Sequence, residues 1–228
     1  MILTEIPTAA LPHMLSRFAG ALDDRHARAA FRRIAASGAA RAAGARAEAH
    51  RLAAGRLGRR LGIAVRPGAP ARSFGWDGRI MRGGTEAYVL LHEIAHWQLA
   101  NARRRRAFEF ALGPGPETGH RAAAARAALL TGLPREGEEA MASLLGILWE
   151  VELHQPALAS LLDQNWLEGA GRPGAARHFE RVLAALYRHG LVDRHARPRR
   201  CTVPYPCAVG PPSVNGHGTR REDGTHRR

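Results

Sequence analysis

The sequence predicts an α+β fold that is mostly helical. Apolar residues recur at helical spacing through most of residues 14–189. Two short candidate strands, Ile63–Val65 and Arg79–Met81, bracket a segment rich in Pro and Gly and come just before a helix that carries two histidines. From about residue 197 the chain is rich in Pro, Gly and Arg without periodicity, which is typical of a disordered basic tail.

The N-terminal part is rich in Ala and Arg. Residues 1–12 are expected to be irregular, and residues 14–60 predict two helices with a break near Ser37–Gly38 or Gly44. Their apolar stripe is thin, so we expect these helices to pack weakly.

A buried helix is predicted over residues 85–100, because apolar residues cover nearly all of its faces. Thr85 is its expected N-cap, and Arg103–Arg106 are expected to form a solvated exit from it. Pro134–Gly137 should then break the chain ahead of a strong helix. The later helices are expected at 120–130, 138–153, 156–168 and 174–189.

The most informative motif is His92-Glu93-Ile94-Ala95-His96. Histidines four residues apart in a helix lie on one face, so both imidazoles can bind one divalent cation. Glu93 then lies close enough to act on water at that ion. The alternative is a helix with two hydrogen-bonded histidines and no metal. A strand followed by such a helix is the arrangement of zincin-like metal sites.

A third protein ligand is expected on the helix that begins near Glu138, since two histidines are too few for a catalytic site. Glu139, Ser143, Gly146 and Glu150 share one face of that helix. Glu139 is the favoured ligand, with Glu138 next and Glu150 third, although both of the first two suit a helix N-terminus as well. Gly146 would let another element approach closely, perhaps the helix with the histidines. Weaker candidates for a ligand are His120, Glu152 and His154.

Charge and composition narrow the class of protein. All 34 basic residues are Arg, against 20 acidic ones, and the net charge is +14. Residues 1–60 carry eleven Arg against four acids and residues 193–228 eight against three, whereas residues 61–192 carry fifteen against thirteen. The basic flanks have few aromatic side chains for base stacking, so binding to nucleic acid is not expected. An Arg-rich protein that binds RNA or the ribosome stays the third hypothesis.

Localisation is expected to be cytoplasmic. Cys201 and Cys207 form no CxxC pair, and we expect both to be thiols in a reducing compartment. The N-terminus has no basic segment followed by a long apolar run, so neither a signal peptide nor a membrane span is expected.

Several segments resemble the elongation factor P hydroxylases, over about residues 79–197. They are His92–Trp97, the helix of Glu139, Asp163–Gly169 and His178–Val182. The resemblance implies a zincin-like fold that holds iron through two His and one Glu and hydroxylates a modified lysine of this translation factor. By position, the implied ligands are His92, His96 and Glu139. Residues 108–137 and the N-terminal helices depart from the family pattern, where substrate recognition is expected.

The leading hypothesis is therefore a hydroxylase that uses Fe(II), with a protein substrate such as elongation factor P. Here Glu93 orients a ligand or a water molecule. The alternative is a zinc peptidase of the HExxH type, in which Zn(II) occupies the same site and Glu93 takes a proton from the attacking water. Both hypotheses divide the chain into a helical extension (1–60), a zincin-like metal-binding domain (61–196) and a tail (197–228). The sequence predicts no oligomeric state.

Overall fold

A computed structural model describes residues 7–67, 76–115, 118, 120–168 and 173–201. This part of the chain is mostly helical, with one small sheet. Its elements, in order, are α1 (Leu11–Ala21), α2 (Arg25–Ala35), α3 (Gly44–Arg60), β1 (Val65–Arg66), β2 (Met81–Arg82), α4 (Ala87–Leu99), α5 (Arg121–Ala127), α6 (Gly132–Glu152), α7 (Ala157–Asp163) and α8 (Pro173–Arg188). Short 3-10 turns lie at Thr8–Ala10 and Arg104–Arg106, and Phe108–Ala111 form a turn with left-handed backbone conformations. No helix among the described residues combines the length and apolarity needed to cross a bilayer.

Helices α4 and α6 form the centre of the fold, and they approach each other closely at Gly146. A Cβ at this position would lie 3.2 Å from both the Cα and the N of His92. A side chain here would therefore push the two helices apart. The expectation that Gly146 lets the histidine helix approach is confirmed.

The two strands lie on the other side of α4. They pair in parallel, with Val65 opposite Met81, one or two residues later than the sequence predicts. Gly58 of α3 faces the side chains of Val65 and Ile94, so α3 packs closely on both β1 and α4. This packing joins the middle of α4 to α3 and to the first strand at Ile94.

Three N-terminal helices are present, not the expected two. The break near Ser37 is confirmed, but a second break lies at Asp24, whose carboxylate accepts a hydrogen bond from the backbone N–H of His26 at 2.7 Å. An aspartate N-cap of this kind starts a new helix. Residues 8–12 are also more regular than predicted, since α1 begins at Leu11 with Pro12 in its first turn, where proline is tolerated.

The N-terminal helices do not pack weakly. Phe18 of α1 and Phe31 of α2 are buried, with their ring centroids 4.7 Å apart, and both meet Phe179 of α8 edge-on. One hydrophobic core runs from these rings to the residues around α4 and α6. Residues 1–60 therefore contribute, through their described part, to the same core as the predicted metal-binding domain.

Two helix boundaries differ from the prediction for reasons of local geometry. Helix α6 begins at Gly132, so Pro134 and Gly137 lie inside it and do not break the chain. Pro134 falls in the first turn, where its missing N–H leaves no helical hydrogen bond unmade. Helix α4 begins at Ala87, which makes Glu86 its N-cap instead of Thr85, and Glu86 makes no side-chain capping hydrogen bond.

The expected solvated exit from α4 is wrong, because Arg104 and Arg105 are only 9% and 8% exposed. The Arg105 guanidinium lies 3.5 Å from the centroid of the Trp97 ring, and its Nε donates to the Trp97 carbonyl at 2.8 Å. Arginine is well suited to this use, since its planar group can stack on an aromatic face.

The start of the predicted tail is ordered. The Arg199 backbone N–H donates to the Leu191 carbonyl at 2.8 Å, and the Gln98 side chain of α4 donates to the Arg199 carbonyl at 2.9 Å. Residues 197–201 therefore continue the fold beyond α8. Residues 202–228, with Cys207 and the rest of the predicted disordered tail, lie outside the described residues.

We expect the Gly146→Ala substitution to destabilise the protein by about 1–3 kcal/mol, because the new methyl group meets the backbone of α4. Gly137→Ala on the same helix is the matched control. No atom lies within 4 Å of a Cβ at position 137, so this change should be neutral or stabilise by up to about 1 kcal/mol. Urea denaturation of both variants measures the difference, and equal effects would contradict the close approach.

Candidate metal centre

Helix α4 brings the two motif histidines together on one face. The Nε2 atoms of His92 and His96 lie 3.0 Å apart, and their rings are nearly perpendicular with centroids 4.6 Å apart. His96 is buried and His92 is partly exposed. Both imidazoles thus turn the same ring nitrogen toward a common point beside α6.

Glu139 completes this group from α6. Its Oε2 lies 3.5 Å from His92 Nε2 and 3.3 Å from His96 Nε2. The three ligand atoms lie within 4.8 Å of one another. Two atoms that bind one cation at about 2.1 Å, with an angle between about 90° and 110°, are about 3.0–3.4 Å apart. The donor set therefore fits a single divalent cation, and the distances do not distinguish iron from zinc.

Glu138 and Arg104 lie on the side of His96 that faces away from the common point. Glu138 Oε1 lies 3.4 Å from His96 Nδ1, the ring nitrogen that faces away from the common point. Arg104 donates two hydrogen bonds to the Glu138 carboxylate, at 2.6 and 2.5 Å, and its Nε donates to the Phe110 carbonyl at 2.9 Å. A carboxylate on Nδ1–H keeps the lone pair on Nε2, which suits a metal-binding imidazole. Glu138 is therefore a partner of His96 and not a member of the ligand group.

The pKa values of the three candidate ligand side chains depend on one another. Burial lowers the pKa of His92. Burial would also lower the pKa of His96, but its hydrogen bonds to Glu138 and Glu139 raise it to about 10. Burial would raise the pKa of Glu139, but hydrogen bonds from both imidazoles hold it well below its ordinary value. Without a cation, a proton on His96 balances the Glu139 carboxylate, and a metal ion would displace that proton.

The ligand group opens into a cavity of about 620 Å³. Most of its lining is apolar, but four carboxyl groups belong to it: Glu93, Glu109 and Asp163 join Glu139, and Arg135 is the one arginine among the described lining residues. Burial raises the pKa of Glu93 to about 8 and that of Glu109 to about 7. The cavity therefore combines a cation site with several further carboxyl groups.

A left-handed turn builds one wall of the cavity. Glu109, Phe110 and Ala111 have φ values of 46°, 50° and 61°, which are rare for residues with a side chain. The turn stacks the Phe110 ring between Trp76 and His96, with centroid distances of 5.4 and 5.9 Å. Such strain persists only where the surrounding structure supports it, and strained residues are often found at functional sites.

Three residues of the site, Arg104, Glu109 and Phe110, are not among the candidates that the sequence predicts. The Phe-Glu-Phe run before Gly113-Pro114 is the signal that could indicate the last two. No sequence signal distinguishes Arg104 from the arginines beside it.

The other sequence candidates lie away from the ligand group. Glu150 is buried near Arg41, with its Oε1 3.5 Å from the guanidinium. Glu152 pairs with Arg33 and Arg197. His120 and His154 are exposed, and the His120 ring meets the Phe108 ring edge-on.

The segment that follows α7 lies beside the ligand group. Gln164 lines both the main cavity and a smaller one of about 370 Å³, and His92 and Glu139 line both as well. The Trp166 indole donates to the Ser143 hydroxyl of α6 at 2.7 Å, which holds this segment against the site. Gly169 of the same segment lies outside the described residues.

No family model, curated protein or solved structure matches this chain. What the site can bind is therefore inferred from the donor set and its surroundings.

We expect Glu138→Gln to weaken divalent-metal binding by about 10–100-fold, because the His96 ring loses the carboxylate that orients it. The same change leaves Arg104 buried beside a neutral amide, which should cost about 3 kcal/mol of stability. Arg104→Met combined with Glu138→Gln removes the unpaired charge and should restore stability while metal binding stays weak. Chelator competition and urea denaturation measure the two effects. Metal affinity that returns together with stability would contradict an orienting role.

Glu150 generates a dependence of stability on pH. Burial raises its pKa from the ordinary 4.5 to about 7. Below pH 4.5 the carboxyl is protonated in both the folded and the unfolded chain. As pH rises from 4.5 to about 7, the unfolded chain ionises first, so the contribution of Glu150 to folding becomes less favourable.

Glu150→Gln should therefore leave stability unchanged at pH 4 and increase it at pH 8, by up to about 3 kcal/mol. Denaturation of metal-free protein at both pH values measures this difference. Equal stabilities of variant and wild type at pH 8 would show that the carboxyl ionises normally.

Proposed function

We propose that this protein is a metal-dependent hydroxylase that holds Fe(II) through His92, His96 and Glu139. The observation that carries the proposal is the convergence of these three ligand atoms within 4.8 Å at the edge of a cavity. Two imidazoles and one carboxylate are the donor set of non-haem iron oxygenases, which leaves positions for dioxygen and substrate. When bound, the ion would supply the activation of dioxygen. We also propose a zincin-like arrangement, since β2 directly precedes the HExxH helix.

The lining of the cavity favours a cationic side chain as substrate. Glu93, Glu109 and Asp163 face the cavity, against a single Arg135 that lies 3.9 Å from Glu139 Oε1. A cationic amine can enter beside these carboxyl groups. Burial raises the pKa of Glu93 to about 8 and that of Glu109 to about 7, and the positive charge of the amine would favour their ionised forms, which allows charge-assisted hydrogen bonds. This fits the modified lysine of a translation factor, the substrate that the resemblance to elongation factor P hydroxylases implies. Such a substrate would place the protein in the cytoplasm.

The residues around the ligands have distinct roles in this proposal. Glu138 and Arg104 orient the His96 ring, and Phe110 covers one face of it. Glu93 lines the cavity beside His92, where it can orient a water molecule or the substrate amine. Gln164 offers an amide at the junction of the two cavities, within the segment that resembles the hydroxylases.

A zinc peptidase is the second candidate, and the position of Glu93 favours it. In that reaction Glu93 takes a proton from the water that attacks a peptide carbonyl. The carboxyl lines the cavity next to both histidines, and burial raises its pKa into the neutral range, which suits a group that accepts and returns a proton.

Metal analysis tests the ligand assignment. We expect purified protein to retain about one iron per chain, and His92→Ala and Glu139→Gln each to weaken iron binding by more than about 100-fold. Glu150→Gln is the matched control on the same helix and should keep the iron. Wild-type protein without iron, or with no iron-dependent oxygen consumption in the presence of modified elongation factor P, would refute the hydroxylase.

Glu93→Gln separates the two candidate reactions. A zinc peptidase should lose at least about 100-fold in kcat with this change, because the amide cannot accept a proton. The hydroxylase should keep its metal and part of its oxygen consumption. Assays of peptide cleavage with zinc-loaded protein measure the first effect, and proteolysis that persists in the variant would exclude the peptidase mechanism.

A further inference from the structure

A second concave region lies outside the metal centre, between α3, the α6–α7 junction and the segment that joins α2 to α3. It consists of two adjoining cavities of about 850 and 510 Å³. Arg41, His50 and Gln155 line both, so the two form one continuous groove. We call this region the arginine groove. Its size exceeds that of the cavity at the ligand group, and the proposed reaction makes no use of it.

The outer part of the arginine groove is basic. Its described lining includes four arginines, Arg33, Arg41, Arg46 and Arg197, against one acidic residue, Glu152, although the Arg41 guanidinium is paired with Asp163. Glu152 pairs with both Arg33 and Arg197, so this cluster keeps one net positive charge. Arg46 is exposed on the first turn of α3. The excess positive charge attracts anionic groups to this part of the groove.

The groove leads to the metal centre through Tyr88. This residue lines both the inner part of the groove and the cavity of the ligand group. The Arg41 guanidinium lies 3.8 Å from the centroid of the Tyr88 ring and forms an ion pair with Asp163, which lines the metal cavity, at 2.6 Å. Tyr88, Arg41 and Asp163 thus form the boundary between the two sites.

We propose that the outer part of the arginine groove binds an acidic segment of the protein substrate while the target side chain enters the metal cavity. The charges along the path support this polarity, since arginines are in excess in the outer part, whereas carboxyl groups line the inner part (Glu48, Glu86 and Glu150) and the metal cavity (Glu93, Glu109 and Asp163). A polypeptide with acidic residues near a cationic target matches both ends. RNA fits less well, because the outer groove has no Phe, Tyr or Trp among its described lining residues on which bases could stack. The proposal rests on the proposed function only in taking the occupant to be a part of the substrate.

The test measures binding of a fluorescein-labelled decapeptide of alternating Glu and Gly to the full chain, by fluorescence anisotropy at low salt. Arg46→Glu should weaken binding by about tenfold, because it reverses a charge in the groove. Arg56→Glu is the matched control: it changes the same residue type on the same helix, is also exposed and does not line the groove. Its effect should be less than about twofold. The difference between the two variants should disappear at high salt.

Three results would overturn the proposal. Equal weakening by both variants would show that the peptide responds only to the overall charge of the chain. A Gln-Gly decapeptide that binds as tightly as the Glu-Gly peptide would exclude charge recognition. An oligouridine that binds more tightly than the peptide, with the same dependence on Arg46, would assign the groove to nucleic acid.

The same titration with the His92→Ala variant separates this proposal from the proposed function. Docking depends on the arginine groove and not on the metal, so the variant should bind the peptide as tightly as wild type. A protein that lacks iron and oxygen consumption but retains Arg46-dependent peptide binding would refute the hydroxylase alone. Peptide binding that requires His92 would refute a separate docking groove.

Discussion

The contact between α4 and α6 at Gly146 is the constraint on which the candidate site depends. The two histidines lie on one helix and Glu139 on another, so the distances from the Glu139 carboxylate to the two imidazoles are set by how closely the helices approach. Glycine at position 146 removes the side chain that would otherwise hold the backbones apart. Gly58 likewise allows a close approach on the opposite side of α4, where α3 packs against Val65 of β1 and Ile94 of α4. Helix α4 is thus packed on two sides against elements that approach it closely at a glycine.

This tight packing buries charges that must then be paired. The Arg104 guanidinium satisfies the Glu138 carboxylate, and that carboxylate in turn meets His96. A buried pair of this kind contributes little net stability, but it holds its members in one geometry because breaking it is costly. The pair also joins the turn at Phe110 to α6, since Arg104 donates hydrogen bonds to the Phe110 carbonyl and to the Glu138 carboxylate. The wall of the cavity and the orientation of the ring are therefore set by one network.

The sequence predicted the parts of this structure that follow from local periodicity and spacing. These parts include the buried histidine helix, the two strand positions to within two residues, the face shared by Glu139 and Gly146, and the choice of Glu139 over Glu138 and Glu150 as the residue that meets both imidazoles. Glu138 and Glu139 are neighbours on α6. The Glu139 carboxylate lies near the Nε2 atoms of the histidines, whereas the Glu138 carboxylate lies near Nδ1 of His96. Helical spacing favours one such orientation, but tertiary packing decides it.

Other features could not be predicted because they depend on distant contacts. Nothing local distinguishes buried Arg104 and Arg105 from the exposed arginines near them, since their partners lie on α6 and α4. Pro134 predicts a break in the helix. The structure shows that α6 begins at Gly132, so Pro134 lies in the first turn, where proline is tolerated. Residue type alone gave no sign that Glu109 and Phe110 adopt left-handed backbone conformations, which side chains of this size rarely do.

That turn sets stability against function. Replacing Glu109 or Ala111 with glycine or asparagine would relieve backbone strain, so a search for more heat-resistant variants would favour such changes. The same substitutions would make other backbone conformations accessible to the turn, including ones in which Phe110 does not stack on His96. Thermal robustness in this segment would thus come at the expense of a well-ordered pocket wall.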